Sequence, residues 1–188
     1  MSYLLSLIII LCLGLHGSPE PTPDPVDFAS DTLDVGEQTF LVPFPSDAEE
    51  PVAQPPSVDG CPGIEETVLP RTDAADLVFI MVPADCDIHP EAAGNGNYGY
   101  YRTLADVADG TVVDTVVTGI GTATIVDVPY YECTNSCTEG VLRMALIAID
   151  DAADPAYSTL QVFQPVIISN DQLQDLDIAD YVAGITVG

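Results

Sequence analysis

The stretch Leu77-Val78-Phe79-Ile80-Met81-Val82 decides the fold class of this chain. It is a continuous apolar run that contains β-branched and aromatic side chains and is followed by Pro83. A short apolar run bounded by a turn residue is typical of a strand that is buried on both faces. We therefore predict that this segment lies in the interior of a β-sheet.

Similar segments follow at short intervals along the chain. The further predicted strands are residues 98–105, 111–118, 122–131, 141–149 and 158–168, with 183–188 as a candidate last strand. Turn sequences separate them, among them Asp109-Gly110 and Gly119-Ile120-Gly121. Strands at this spacing, without a long helical period, predict an all-β fold, an antiparallel β-sandwich that is immunoglobulin-like or barrel-like. One short C-terminal helix is expected within 170–182, with Asn170 as its cap.

The two segments 141–149 and 158–168, together with the Asp/Ala/Pro loop between them, resemble the closing hairpin of extracellular immunoglobulin-like domains. The resemblance is confined to this hairpin. The tryptophan and the inter-sheet cysteine spacing of antibody domains are absent from the sequence. The hairpin therefore supports the β-sandwich class and does not define a family.

The first residues have the composition of a secretory signal. An apolar run over 4–15, interrupted by Ser6 and Gly14, suits the hydrophobic region of a signal peptide and is short for a bilayer span. We predict a signal peptide over 1–17, with an uncleaved signal-anchor and lipidation at Cys12 as alternatives. The prediction implies a secreted or cell-surface, extracytoplasmic protein.

Residues 18–57 have the composition of a linker. They hold nine of the sixteen prolines among Asp, Glu, Ser and Thr, which predicts an acidic Pro-rich tether that is largely disordered. One apolar stretch, 38–44, interrupts it. We expect this stretch to pair with its own domain, and the alternative is a recognition strand that adds to a neighbour's sheet. Residues 58–188 are then one disulfide-bonded β domain, long enough to bury a single core.

The charge of the chain is extreme. Its 188 residues include 30 Asp and Glu, three Arg and no Lys, and the formal net charge is −27. Such a chain cannot form the basic surface that binds nucleic acid or anionic membranes. The 47% hydrophobic content does not fit a disordered acidic segment. An apolar core within a carboxylate shell indicates adaptation to high salt, where the Debye length falls to ~3 Å; an ordinary acidic secreted protein is the alternative.

Four cysteines follow the predicted signal: Cys61, Cys86, Cys133 and Cys137. An even number in an exported chain predicts two disulfides. Of the three connectivities, we favour Cys133–Cys137 with Cys61–Cys86. Their spacing contains no CxxC pair of the kind that binds structural zinc.

Calcium is the only cofactor that the sequence indicates. Ca²⁺ takes six to eight oxygen ligands, and Asp150, Asp151 and Asp154 share one loop. A second acidic segment holds Asp171, Asp175, Asp177 and Asp180. In a chain this acidic, such clusters also arise without a ligand, so the loop of Asp150 is a hypothesis and no other cofactor is expected.

An aromatic segment is the candidate binding patch. Tyr98, Tyr100, Tyr101 and Arg102 follow a Gly/Asn-rich sequence, and tyrosines in such a setting can contact protein or glycan. The alternative is an ordinary strand with one tyrosine turned inward. His89, which follows Cys86, is read as part of a disulfide-pinned loop rather than as a metal or acid–base site.

Glu65 and Glu66 are adjacent in sequence, so on a strand they point to opposite faces and do not flank one glycosidic bond. No catalytic residue is nominated. The sequence thus predicts an exported structural or binding module of the cell surface or extracellular space, whose partners are protein or glycan and which can also self-associate. The alternatives are a calcium-binding adhesion or filament subunit and a secreted hydrolase.

Overall fold

The computed structural model describes residues 28–54, 63–84, 107, 109–133, 137–150, 157–168 and 174–188. These residues form ten strands and one helix. The elements are β1 (Phe28–Val35), β2 (Gln38–Pro45), β3 (Val52–Gln54), β4 (Glu65–Leu69), β5 (Leu77–Pro83), β6 (Thr111–Val117), β7 (Gly121–Cys133), β8 (Cys137–Ile149), β9 (Tyr157–Ile168), α1 (Ile178–Ala183) and β10 (Thr186–Val187).

The strands form two antiparallel sheets. A small sheet has the order β1-β2-β10, and a large one has the order β3-β4-β5-β9-β8-β7-β6. This arrangement confirms the predicted all-β sandwich. The barrel-like alternative is wrong for the described residues, because the large sheet ends at the unpaired edges of β3 and β6 and does not close.

Strand β5 is buried along its whole length, as its continuous apolar sequence predicts. Its alternate side chains enter two cores, one on each face of the large sheet. Leu77, Phe79 and Met81 face the small sheet and α1, and Val78, Ile80 and Val82 face the opposite side. Burying such side chains stabilises a fold by ~1.5–3 kcal/mol each. The large sheet is therefore held by apolar packing on both faces.

The first core lies between the two sheets and α1. Tyr181 of α1 is buried there, with its ring 6.4 Å from that of Phe79 and 5.8 Å from that of Phe28. Its hydroxyl is buried and has no hydrogen-bond partner among the described residues. The aromatic ring of Tyr181 thus packs against other rings, while its hydroxyl lacks a described hydrogen-bond partner.

The expected tether does not extend across Phe28–Gln54, because this part of the chain forms β1, β2 and β3. The prediction that 38–44 pairs with its own domain is confirmed by β2, which lies between β1 and β10. Phe40 and Val42 of β2 are buried in the first core. Pro43 and Pro45 lie beyond the two residues of β2 that pair with β10, where the strand has one partner instead of two.

The helix is shorter and begins later than the sequence predicts. It covers Ile178–Ala183, and its cap is Asp177, whose Oδ1 accepts hydrogen bonds from the backbone N–H groups of Ala179 and Asp180 at 2.9 and 3.3 Å. Asn170 lies outside the described residues. The N–H of Leu176 donates to the side chain of Gln164 in β9, which holds the residues before the helix against the sheet.

The segment 185–188 connects the two sheets. The carbonyl of Ile185 accepts a hydrogen bond from the N–H of Gly119, at the end of β6, at 2.9 Å. The N–H of Gly188 donates to the carbonyl of Thr39 in β2 at 3.2 Å. A Cβ atom at position 119 would lie 2.5 Å from Cγ2 of Thr186, so glycine is required for this close approach.

Candidate functional site

Several predicted site residues lie outside the described residues. They are Cys61, Cys86, His89, Tyr98, Tyr100, Tyr101, Arg102, Asp151 and Asp154, and the predicted strand 98–105 lies there as well. The tyrosine patch and the Cys61–Cys86 disulfide therefore stay predictions. The described residues allow the remaining candidates to be placed.

Asp150 is the one described member of the proposed calcium loop. Its N–H donates to the carbonyl of Ile120 at 3.0 Å, so the end of β8 lies beside the turn between β6 and β7. In the second acidic segment, Asp177 caps α1 and Asp175 contacts Arg71. Within the described ranges, no group of three His, Cys, Asp or Glu side chains is arranged to hold a metal ion.

Cys133 and Cys137 are backbone register partners where β7 and β8 meet. Directly opposed residues of antiparallel strands have Cα atoms ~4.5–5.5 Å apart, which falls within the range that disulfides span. The two side chains lie outside the described part of the structure. The Cys133–Cys137 disulfide therefore stays a prediction.

Glu65 and Glu66 lie on opposite faces of β4, as expected for adjacent strand residues. Their register partners on β5 are Met81 and Ile80, which belong to different cores. Burial raises the pKa of Glu66 above its ordinary value. The two carboxylates thus do not form a catalytic pair, and Glu66 is a partly desolvated acid on the face of the large sheet that carries Val78, Ile80 and Val82.

Arg71 forms a partly buried ion cluster that joins three loops. Its side chain is only 4% exposed, its Nε lies 3.0 Å from Oδ1 of Asp47, and its Nη1 lies 2.5 Å from Oδ2 of Asp175. The backbone N–H of Arg71 also donates to Asp76. Burial alone would lower the pKa of Arg71, but the hydrogen bonds and charges of Asp47 and Asp175 outweigh it and raise that pKa.

A buried glutamine completes this cluster. Nε2 of Gln164 donates to Oδ1 of Asp175 at 2.6 Å and to the carbonyl of Ala75 at 3.3 Å. Gln164 is fully buried in β9. The sequence carried one signal for this role, a glutamine within an apolar strand, but it did not identify the partners. The cluster fixes the loops against the sheet and leaves little of the Arg71 side chain exposed to a ligand.

Arg143 also forms an ion pair with an aspartate of the same chain. Its Nε and Nη2 donate to the two carboxylate oxygens of Asp127 at 2.7 and 2.9 Å, across register-paired positions of β7 and β8. The hydrogen bond to Asp127 raises the pKa of Arg143, and the charge of Asp177 adds to the effect. Both arginines in the described part of the chain therefore serve as counter-ions to carboxylates of the same chain.

Strand β6 is the most exposed apolar feature of the described structure. It forms one edge of the large sheet, and no described strand pairs with its outer side. Val112, Val113 and Val117 are exposed, and Val117 is 81% exposed. Three of the six large apolar residues that are exposed in the described structure thus lie on this one strand, which we call the β6 edge (Thr111–Val117).

The other sheet edges are shorter or more highly charged. β3 has three residues, with Pro51 before it and Pro55 after it in the sequence, and β10 has two. β1 exposes Asp31 and Asp34. Short strands, prolines and charges are the devices that prevent edge-to-edge pairing. The β6 edge has seven residues and one charge, Asp114, so among the edges of the described sheets it has the fewest of these protective features.

The chain matches no protein-family model, and no curated protein and no solved structure is significantly similar to it. In the described ranges, α1 is the only helix. With six residues, it is far too short to cross a bilayer. Function must therefore be argued from the surface and charge of this chain.

Proposed function

We propose that this protein is an exported module of the cell surface or extracellular space, with a structural or binding role and an acidic, salt-adapted surface. The observation that supports the proposal best is the β6 edge, an extended and nearly uncharged strand on an otherwise acidic sandwich. An unpaired strand edge offers backbone hydrogen bonds to a partner, and its side chains supply specificity. The module thus acts through a surface.

The charge distribution narrows the kind of partner. The chain carries 30 acidic residues and three arginines, of which Arg71 and Arg143 are paired internally. Polyanions such as nucleic acid and anionic membranes are repelled by such a surface. The partners that fit are proteins, glycans and further copies of the chain.

The same charge implies an environment of high ionic strength. Repulsion among 27 net negative charges destabilises a compact body more than an expanded chain. Because the Debye length falls from ~10 Å at 0.1 M salt to ~3 Å at 1 M, stability rises with NaCl. The extracytoplasmic location rests on the apolar run over 4–15 and the even cysteine count that follows it.

Expression of the full chain in a secreting host tests the proposal. We expect the protein in the medium or on the cell surface, with a mass that lacks residues 1–17 and with no free thiols. In the purified protein, the melting temperature should rise steeply with NaCl. An intact, reduced protein retained inside the cell, or a melting temperature insensitive to NaCl, would contradict the proposal.

The calcium-binding alternative is separated in the same experiment. Specific Ca²⁺ binding to the folded state raises the melting temperature beyond NaCl of equal ionic strength, by the mass-action relation RT ln(1 + [L]/Kd). If Asp150, Asp151 and Asp154 form the site, their replacement by Asn removes only that additional increase. An unchanged additional increase places the calcium site elsewhere.

A further inference from the structure

We propose that Asp109 and Gly110 form a self-modification site, at which the backbone converts to an isoaspartyl linkage without an enzyme. The site is the turn that leads into β6. The proposal rests on the identity of the two residues, the backbone conformation of Asp109 and the weak hydrogen bond of the Gly110 nitrogen. This chemistry is independent of the proposed function, because it needs only water and the chain itself.

The sequence brings the reacting groups together. The side-chain carboxyl carbon of an aspartate and the backbone nitrogen of the next residue can close a five-membered ring. A side chain on that next residue hinders the closure, and glycine is the residue that has no Cβ atom. The chain contains two Asp-Gly pairs, Asp109-Gly110 and Asp59-Gly60, and the second lies outside the described residues.

The backbone of Asp109 is held in an unfavourable conformation. Its φ is 56°, in the left-handed region, and it is the only non-glycine residue of the described ranges with a positive φ. This region is disfavoured for L residues because Cβ comes too close to the backbone carbonyl oxygen. Residues in such conformations are concentrated at functional sites. The starting state of the reaction is therefore less stable than an unstrained turn.

The fold leaves the reacting atoms accessible. Asp109 is exposed, and the N–H of Gly110 donates to the carbonyl of Val107 at 3.4 Å, which is a long and therefore weak hydrogen bond. Asp114 on β6 offers a contrast, because the N–H that follows it, that of Thr115, donates to Oδ1 of Asp114 at 2.7 Å. The nitrogen after Asp109 is thus more easily released for attack than the nitrogen after Asp114.

The conversion balances with water alone. The Gly110 nitrogen attacks Cγ of Asp109, gives up its proton and forms a new C–N bond, while the carboxyl hydroxyl leaves as water. Water then adds to one of the two carbonyls of the cyclic imide. Addition at Cγ restores aspartate. Addition at the original backbone carbonyl breaks its bond to the nitrogen, so the chain runs through Cγ with the α-carboxyl free. The net charge is unchanged and the backbone is one methylene longer.

Incubation of the folded full chain in water labelled with oxygen-18 tests the proposal. Each imide that is hydrolysed takes up one labelled oxygen, whichever way it opens, and peptide mapping locates the label. An isoaspartyl methyltransferase detects the isoaspartyl product separately. The incubation is carried out at about pH 5, because the carboxyl must be protonated to lose its hydroxyl as water. The same chain unfolded in urea gives the rate without the fold.

Three variants separate the contributions of the two residues. Asp109→Glu requires a six-membered ring and should abolish label uptake at this position. Gly110→Ala adds a Cβ beside the nitrogen and should slow the uptake about tenfold. Alanine is compatible with this turn, because Gly110 is not among the described glycines with a positive φ. Asp114→Glu is the matched control, since it makes the same change at an exposed aspartate without a following glycine.

We expect label and isoaspartate at Asp109 in the folded parent and in the Asp114→Glu control, with no label at Asp114 of the parent. The uptake at Asp109 should lie within about tenfold of that in urea. Uptake at Asp109 that occurs only in urea, or label at Asp59 without label at Asp109 in the folded chain, would overturn the proposal. Equal uptake by the parent and by Gly110→Ala would also contradict it.

Discussion

Removal of the Arg71 side chain should be among the most damaging single changes to this fold. In Arg71→Ala, Asp47 and Asp175 lose their common counter-ion, and the loops before β3, β5 and α1 lose their connection. Truncating one partner of a buried ion pair costs about 3–5 kcal/mol, because the remaining charge stays desolvated. Asp47 is only 15% exposed, so this penalty applies to it in large part.

The expected loss of stability lies near the lower end of that range, because the second carboxylate, that of Asp175, is partly exposed. Asp175 is 38% exposed and can regain water, so its lost ion pair is worth about 1 kcal/mol or less. Adding the hydrogen bond to Asp47, about 1.5–3 kcal/mol, we expect Arg71→Ala to destabilise the protein by about 3 kcal/mol. Arg71→Lys keeps the charge but cannot reproduce the planar geometry of the guanidinium group. Its free energy of unfolding should therefore lie between those of the parent and of Arg71→Ala.

Urea unfolding in 1 M NaCl, followed by circular dichroism, measures this effect. Arg143→Ala is the matched control, since it also removes one cation from the chain. Arg143 is 34% exposed, so its ion pair with Asp127 should contribute only about 1 kcal/mol. If Arg71→Ala costs no more than Arg143→Ala, the cluster does not hold the loops and the reasoning fails.

Three further predictions concern single groups. Tyr181→Phe removes a buried hydroxyl without a described partner and should leave the stability unchanged or raise it by about 1 kcal/mol in thermal unfolding; a clear loss would reveal a partner. Because burial raises the pKa of Glu66, its charged form destabilises the fold above that pKa and the cost disappears as the pH falls through it. Glu66→Gln should therefore stabilise more than Glu65→Gln at pH 7 and lose this advantage near pH 4, and equal effects at pH 7 would contradict the assignment. Peptide mapping of the unreduced protein should recover Cys133 linked to Cys137, and a pairing of either residue elsewhere would show that backbone register does not decide the connectivity.

The strands from β5 to β9 that the structure describes could be predicted because each is a continuous or alternating apolar segment between turn residues. The sequence does not predict β1, β3 and β4, and it predicts β2 only as the stretch 38–44. β1 and β2 lie within an acidic, Pro-rich part of the sequence, although Leu33, Val35, Phe40 and Val42 supply one buried face. In β4, adjacent glutamates precede the short apolar end of the strand.

For the Arg71 cluster, the sequence allows the role of the arginine to be predicted but not its partners. That each arginine would neutralise carboxylates follows from the charge of the chain, but the identity of the partners does not. Asp47, Asp175 and Gln164 are brought to Arg71 by loops that are far apart in sequence. Asn170, Asp171, Asp175 and Asp177 all precede the helix and are of the residue types that cap helices, and local sequence does not choose among them. Proximity in the fold makes that choice.

The connection formed by residues 185–188 has a consequence for how this chain can fold. The strand that completes the small sheet is separated from β2 by the whole of the large sheet in sequence, so the pairing of β10 with β2 closes a very long loop. Hairpins such as β1–β2 can form early in folding. The small sheet, however, is complete only when Thr186 is available, and the hydrogen bond from Gly119 forms only when Ile185 is available. Such non-local closure slows folding. The small sheet is therefore completed only after every strand of the large sheet that precedes β10 in the sequence is available.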